Sequence, residues 1–378
     1  MNMNIILYTS SGNRSGGTRQ ALYLAQGMAD RGHRVHFFVP EDSTLPELDP
    51  GRDFWRFLGP KSGWRRRIEE ALLPGAANVV HAFHNAAVKK AAWWGLFWRK
   101  RAVMVAHRGV LYRPNNPLPY WSPGIDRFLV NSRACAKVLQ KVGLSAGRIN
   151  YVPNSVPDSR IQPLIPAERI REKLGIPHSA PLFVTVANNS RIKGIHELIH
   201  AFNLAFSSNA SPRPHAIIIG VSPAMWLPVA EGLETADRMH FLDKEEDVGS
   251  YLSAGTAFVL PSLTESMPNT LLEAIRAGLP CIGTRVGAVP DILSGEDCPS
   301  TVQDTPEAAA LTPCGLLVPP GDIPALAEAL RRMANDTSLQ DSLRAGARVQ
   351  AEKYRPEKRL DLVESIYREL LQRKGLSQ

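Results

Sequence analysis

Apolar and polar positions along the chain alternate between short buried runs and amphipathic stretches, and they do so in two series. Residues 4–9 contain consecutive apolar side chains, Ile5, Ile6 and Leu7, which suits a strand covered on both faces. A Ser- and Gly-rich loop is expected over 10–17. Ala21, Leu22, Leu24, Ala25, Met28 and Ala29 then recur at helical spacing, Gly32 marks the helix end, and 35–39 reads as the next strand. Further short strands are expected at 78–81, 102–106, 128–130 and 150–152, with Ser132 capping the helix after the third. Residues 157–166 read as a linker, followed by a helix over 168–174.

A second series begins with an apolar strand at 182–187, a polar loop at 188–194 and an amphipathic helix. Strands are expected at 215–220, 239–242, 256–260 and 280–284. Asp322 caps a helix from about 323, and 357–371 is strongly helical. Strands alternating with helices predict an α/β protein with Rossmann-like, mainly parallel sheets. At 378 residues the chain is long enough for two cores. The expected division is 1–160, 161–354, and a closing helix over 355–378 that crosses back to the first domain. No internal repeat or low-complexity segment is visible.

Charge changes this picture, because the net +8 is unevenly spread. Residues 1–160 hold 23 Lys and Arg against 10 Asp and Glu, whereas the remainder holds 21 against 26. The basic half also holds five of the seven Trp, between 55 and 98. Two clusters stand out, Lys61 to Arg67 and Lys89 to Arg101. Trp favours the bilayer interface and Lys or Arg attract anionic lipid, so peripheral membrane contact through the first domain is expected. The competing reading is that these Trp pack inside and the charges are merely solvated. No nucleic-acid-binding module is visible.

Cys135, Cys281, Cys298 and Cys314 form no Cys-x-x-Cys pair and no zinc-like spacing, so they read as reduced thiols of a cytoplasmic protein. No secretory signal is visible and no apolar run of about 20 residues occurs, so no membrane-spanning helix is expected.

The segment richest in chemistry is Pro261 to Ala274, which holds two glutamates, Glu265 and Glu273, with seven residues between them. Ser266 is expected to cap, and Pro268 to start, a helix whose free N–H groups make an anion site. Glu265 then lies beside bound phosphate, and Glu273, over two turns in, is placed to accept from ribose hydroxyls. By itself this spacing is equally that of an ordinary capped helix.

The wider context resembles the family 4 retaining glycosyltransferases of the GT-B fold. The resemblance runs through nearly the whole chain and is densest over 241–322. It includes Ala257 to Ser262, Glu265 to Glu273, Ala277-Gly278-Leu279-Pro280, Gly287 to Asp291 and Gly315 to Asp322. It implies two Rossmann-like domains facing a central cleft. It further implies that Glu265 contacts the donor sugar, Glu273 the ribose, and the backbone N–H groups of the segment Ser266-Met267-Pro268-Asn269-Thr270 the diphosphate.

That family places an Arg and, five residues later, a Lys-Gly pair on the diphosphate. Lys193-Gly194 fits, but Asn188 stands at the Arg position, and Arg191 is the candidate replacement. Gly16 and Gly17 occupy the place of the family's Gly-rich first loop, where a missing side chain permits close approach. His107, in His107-Arg108-Gly109 just past the strand expected at 102–106, matches a family His facing the donor sugar. His81, His84 and His33 are weaker candidates.

The implied reaction is transfer of a hexose, with retention, from a UDP- or GDP-sugar to a glycan or lipid-linked acceptor of bacterial surface polysaccharide or lipopolysaccharide synthesis. In that mechanism the leaving phosphate takes the acceptor proton. Lys193, Arg191 and the helix N-terminus stabilise the diphosphate in place of a metal, so neither metal nor cofactor is expected. The alternatives are a GT-B sugar-nucleotide epimerase or hydrolase, and a non-catalytic nucleotide-sugar-binding scaffold. A dinucleotide-binding oxidoreductase lacks its glycine fingerprint. Localisation is expected on the inner face of the cell membrane.

Overall fold

The computed structural model describes residues 2–207, 213–295 and 309–376. They form two compact units, Met1–Ser155 with Pro356–Gln378, and Val156–Arg355.

The first unit is a seven-stranded, all-parallel sheet. Its strands are β1 (Asn4–Thr9), β2 (Arg34–Val39), β3 (Trp55–Phe57), β4 (Asn78–Phe83), β5 (Val103–Arg108), β6 (Arg127–Val130) and β7 (Ile149–Tyr151), in the order β3-β2-β1-β4-β5-β6-β7. The near-continuous apolar runs of β1 and β4 are buried on both faces, as a helix-covered parallel sheet requires. One core, including Ile5, Leu7, Leu24 and Val79, lies under the Gly16–Asp30 helix. The Pro356–Arg373 helix closes the same core with Val363, Ile366, Tyr367 and Leu371. Tyr367 Oη lies 2.6 Å from His81 Nδ1, and the buried Arg359 guanidinium donates to the Gln20 carbonyl at 3.0 Å. His81 is therefore part of this packing.

The second unit repeats the plan. Its strands are β8 (Leu182–Val186), β9 (His215–Ile219), β10 (Met239–Leu242), β11 (Ala257–Leu260), β12 (Cys281–Thr284), β13 (Ala310–Thr312) and β14 (Gly315–Val318), in the order β10-β9-β8-β11-β12-β14-β13. All pairs are parallel except β13 with β14. Two apolar cores cover its faces. In each sheet the order reverses beside the first strand of the unit, between β1 and β4 and between β8 and β11. Ligands of open α/β sheets bind outside the strand ends at such points.

Several local expectations change. β3, β13 and β14 are strands too short or too mixed to stand out in the sequence. Gly16 and Gly17 are not in a loop: they form the first turn of their helix, which Ser15 and Thr18 close with a reciprocal capping box. His107 and Arg108 are the last residues of β5, not residues beyond it. The stretch expected as a linker contains a helical turn, Asp158–Arg160, that is pinned to the second unit.

Candidate donor site in the second unit

Two loops meet at the β8/β11 switch point. One follows β8 and runs through the turn Arg191–Lys193 to Gly194; the other follows β11. Gly194 has φ +69°, and a Cβ there would lie 1.9 Å from the Pro261 carbonyl oxygen. Only glycine permits both the left-handed conformation and the approach. The Leu263 N–H then donates to the Ile192 carbonyl at 2.8 Å, joining the two loops backbone to backbone.

This contact brings together two residues 72 positions apart. Lys193 Nζ donates to Glu265 Oε1 at 2.6 Å, and Ser262 Oγ donates to the same oxygen at 2.9 Å. The carboxylate is mostly covered, so both partners hold it in one orientation. A second close approach shapes the loop from behind: a Cβ on Gly287 would lie 1.8 Å from the Glu265 carbonyl oxygen, and Ala288 N–H donates to the Ser266 carbonyl at 2.9 Å.

The Asn269–Arg276 helix starts immediately after this loop. Its N-cap is Pro268, with no side-chain cap hydrogen bond. Ser266 is not the cap, which corrects the expectation, because two further residues separate it from the helix start. Met267 is buried in the core and holds the turn. Asn269 and Thr270 open the helix, whose N-terminal dipole and backbone amides suit an anion.

Glu273, on the second turn, is buried and accepts from Arg160 Nε at 3.2 Å. Arg160 also donates to the Glu246 carbonyl at 2.8 Å, and Arg276 pairs with Asp158. Two ion pairs thus seat the Asp158–Arg160 turn against the helix. The sequence carries no signal for Arg160, since its partner lies 113 residues away.

Asn188 Oδ1 accepts from the Ser190 N–H at 3.0 Å, a local turn that shapes the loop and supplies no charge. Arg191 is drawn to Glu197 at 2.6 Å, on the helix that follows it. Its exposed guanidinium is held by Glu197, as the Lys193 ammonium is held by Glu265.

In the first unit Gly17 faces the His84 ring, and Thr9 Oγ1 lies 2.7 Å from His84 Nδ1. His107 is buried and stacks on Phe83, with ring centroids 5.1 Å apart. Burial, aided by the Arg359 charge, pushes its pKa down to about 3, so the imidazole is neutral. His33 is likewise shifted down by burial and lies against Glu364 at 3.4 Å, a packing role.

Among the described residues no group of three or more His, Cys, Asp or Glu side chains converges on one point. Cys135, Cys281 and Cys314 are buried thiols in no disulfide, and burial pushes the Cys314 thiol up to about 12. Cys298 lies outside the described residues. No described helix is long and apolar enough to cross a membrane.

Comparison with known proteins agrees with this architecture. Residues 14–160 match the model of Glycosyltransferase Family 4, and residues 180–336 match that of Glycosyl transferases group 1. The chain is 26% identical over 206 residues to N-acetyl-alpha-D-glucosaminyl L-malate synthase of Bacillus anthracis, covering 54% of this chain and 49% of that protein. It is 24% identical over 350 residues to the lipopolysaccharide core biosynthesis glycosyltransferase LpsE of Rhizobium meliloti, covering 82% and 88%. The chain spans about half the length, or less, of several curated relatives it matches. Anabaena HepE in complex with UDP-glucose superposes with a TM-score of 0.78 at 16% identity, over 97% of this chain and 99% of that one. The chain belongs to the glycosyltransferases, with a family 4 domain followed by a group 1 domain, each Rossmann-like, in the GT-B fold class.

Proposed function

We propose that this protein transfers a hexose from a UDP- or GDP-sugar to a glycan or lipid-linked acceptor of bacterial surface polysaccharide or lipopolysaccharide synthesis, with retention and without a metal ion. The observation that carries the reading is the Lys193–Glu265 pair set beside an uncapped helix start at the second unit's switch point. Lys193 and the helix N-terminus are fixed positive groups where a diphosphate gathers charge as it leaves. Glu265 is an oriented acceptor for donor-sugar hydroxyls, and Glu273 for the ribose. The leaving phosphate accepts the acceptor's proton. His107, neutral and rigidly stacked, is proposed to hydrogen-bond the sugar.

A thermal-shift series with UDP, GDP and their glucose conjugates tests this. At about 100 times Kd, a ligand of the native state stabilises it by about 2.7 kcal/mol, or about 5–10 °C for a unit of this size. One nucleotide should stand out, Glu273→Ala should abolish its shift, and EDTA should leave it intact. No shift with any nucleotide overturns the proposal. A non-catalytic scaffold is the second reading, favoured by Asn188 and by the engagement of Arg191 with Glu197. Donor binding with neither transfer nor hydrolysis on any acceptor would establish it.

We also propose peripheral attachment to the inner face of the cell membrane. Trp64 and Trp98 are core residues, which narrows the surface expected from the Trp-rich sequence. Trp93, Leu96 and Phe97, spaced to share one side of the Asn85–Trp98 helix, remain exposed. Arg65, on the Trp64–Glu70 helix, sits 4.2 Å over the Phe97 ring, so cation and aromatic surface are contiguous. The variant Trp93→Ser with Phe97→Ser should bind phosphatidylglycerol vesicles at least about tenfold more weakly, following the apolar area lost. Unchanged co-sedimentation with those vesicles would sink the attachment.

A further inference from the structure

We infer that His84, at the switch point of the first unit, is a sugar-binding residue that meets a hydroxyl of the acceptor through Nε2. The inference rests on the transferase reading and assigns a contact to the other substrate.

The first observation is conformational. His84 has φ +68° and ψ 153°, and it is the one non-glycine residue with positive φ among those described. This region is nearly restricted to glycine, and residues held in it cluster at ligand sites. The residue follows β4 directly and precedes the Asn85–Trp98 helix, where it makes no side-chain cap hydrogen bond. Capping therefore does not account for the histidine.

The second observation is where the ring goes. Thr9, the last residue of β1, holds Nδ1 at 2.7 Å. Nε2 faces Gly17, where a Cβ would lie only 2.9 Å away. The neighbouring helix leaves out one side chain where this nitrogen points. The ring is half-buried, with Nδ1 engaged by Thr9.

The third is position. Thr9 ends β1 and His84 directly follows β4, the two strands that flank the reversal in strand order, the place equivalent to that of Lys193 and Glu265 in the second unit. The chemistry then selects the ligand. Thr9 Oγ1 is 3.2 Å from the Ser11 carbonyl, to which it can donate while accepting from His84 Nδ1–H. Nε2 is then an acceptor; with the opposite tautomer it is a donor. A sugar hydroxyl satisfies both, whereas a carboxylate or phosphate satisfies one. Burial also lowers the pKa of this imidazole, which suits a neutral partner.

The test uses full-length protein, UDP, and methyl α-D-glucopyranoside and methyl β-D-galactopyranoside as probes. Long-range proton–nitrogen NMR of 15N-histidine protein, assigned with His84→Gly, should show the His84 Nε2 signal moving on glycoside addition. His84→Gly should weaken glycoside binding about tenfold while its melting temperature holds or rises, because glycine relieves the backbone. Gly17→Ala, which displaces the ring, should weaken glycoside binding similarly in a folded protein. An unmoved His84 signal, or glycoside binding as tight in His84→Gly as in wild type, overturns the inference. If UDP stabilises the wild type, the transferase reading survives that failure. If neither UDP nor GDP does, the reading falls and takes this inference with it.

Discussion

Replacing Gly194 by alanine is expected to lower the melting temperature of the second unit by about 10 °C and to abolish stabilisation by the donor nucleotide. Two costs add. A left-handed non-glycine residue costs about 1–2 kcal/mol. The new Cβ would also lie 1.9 Å from the Pro261 carbonyl oxygen, so the strand-end loop must move. A total of about 3–5 kcal/mol, at about 2–4 °C per kcal/mol, gives the stated shift. Gly232 supplies the control, since it too has positive φ (+79°) but nothing within 4 Å of the added atom. Gly232→Ala should lose only the conformational part, a few degrees. Lys193→Met separates function from fold: it removes the ammonium and should weaken nucleotide binding while the backbone contact persists. If Gly194→Ala melts no lower than Gly232→Ala, the loop contact is not what holds the site together.

Acid should unfold the protein well above the pH at which its carboxylates titrate. Burial, aided by Arg56 and Arg34, pushes His36 down to about 4. Burial, aided by His240, does the same to His215, and His107 falls to about 3. A histidine with a depressed folded pKa stays neutral in the fold while the unfolded chain takes up its proton. Stability is therefore full above about pH 6.5 and falls as pH drops toward the folded values. Each such group removes about 1.4 kcal/mol per pH unit in that window. Over about two units His36 and His107 remove roughly 5 kcal/mol from the first unit and His215 roughly 3 kcal/mol from the second, a large share of the stability of a typical domain.

Urea midpoints should accordingly fall steeply between pH 7 and 5, with at least about three protons taken up on unfolding, since burial lowers His81 as well. His36→Gln should flatten the profile by about one proton. A flat profile across this range would show that these imidazoles titrate normally in the fold. Glu364 adds nothing in that window. Its burial opposes ionisation, but hydrogen bonds from Arg368 and Arg31 win and hold it at about 2, so its contribution is lost only at lower pH.

Much of the site was legible in the order of residues because it is built from local devices. Pro268 before a helical run and Lys193-Gly194 after an apolar strand are signals within a few positions. The α/β plan followed for the same reason: apolar runs and helical spacings are properties of short windows. The departure at Asn188 was also visible there. The fate of its proposed substitute was not, because the approach of Glu197 depends on the turn at Gly194.

By itself, then, the sequence determined the alternation of strands and helices, the two parallel-sheet units, and the segments that bear Lys193, Glu265 and Glu273. Only the tertiary structure decided that Lys193 and Glu265 share a hydrogen bond, that Arg160 holds Glu273, that Trp64 and Trp98 are core while Trp93 and Phe97 face outward, and that His84 is strained against Thr9 and Gly17. The physical reason is one of range. Hydrophobic periodicity and capping are set by neighbours along the chain. A glycine's missing side chain, a buried guanidinium's partner and a histidine's pKa are set by atoms that chain order leaves far apart and folding brings within a few ångströms.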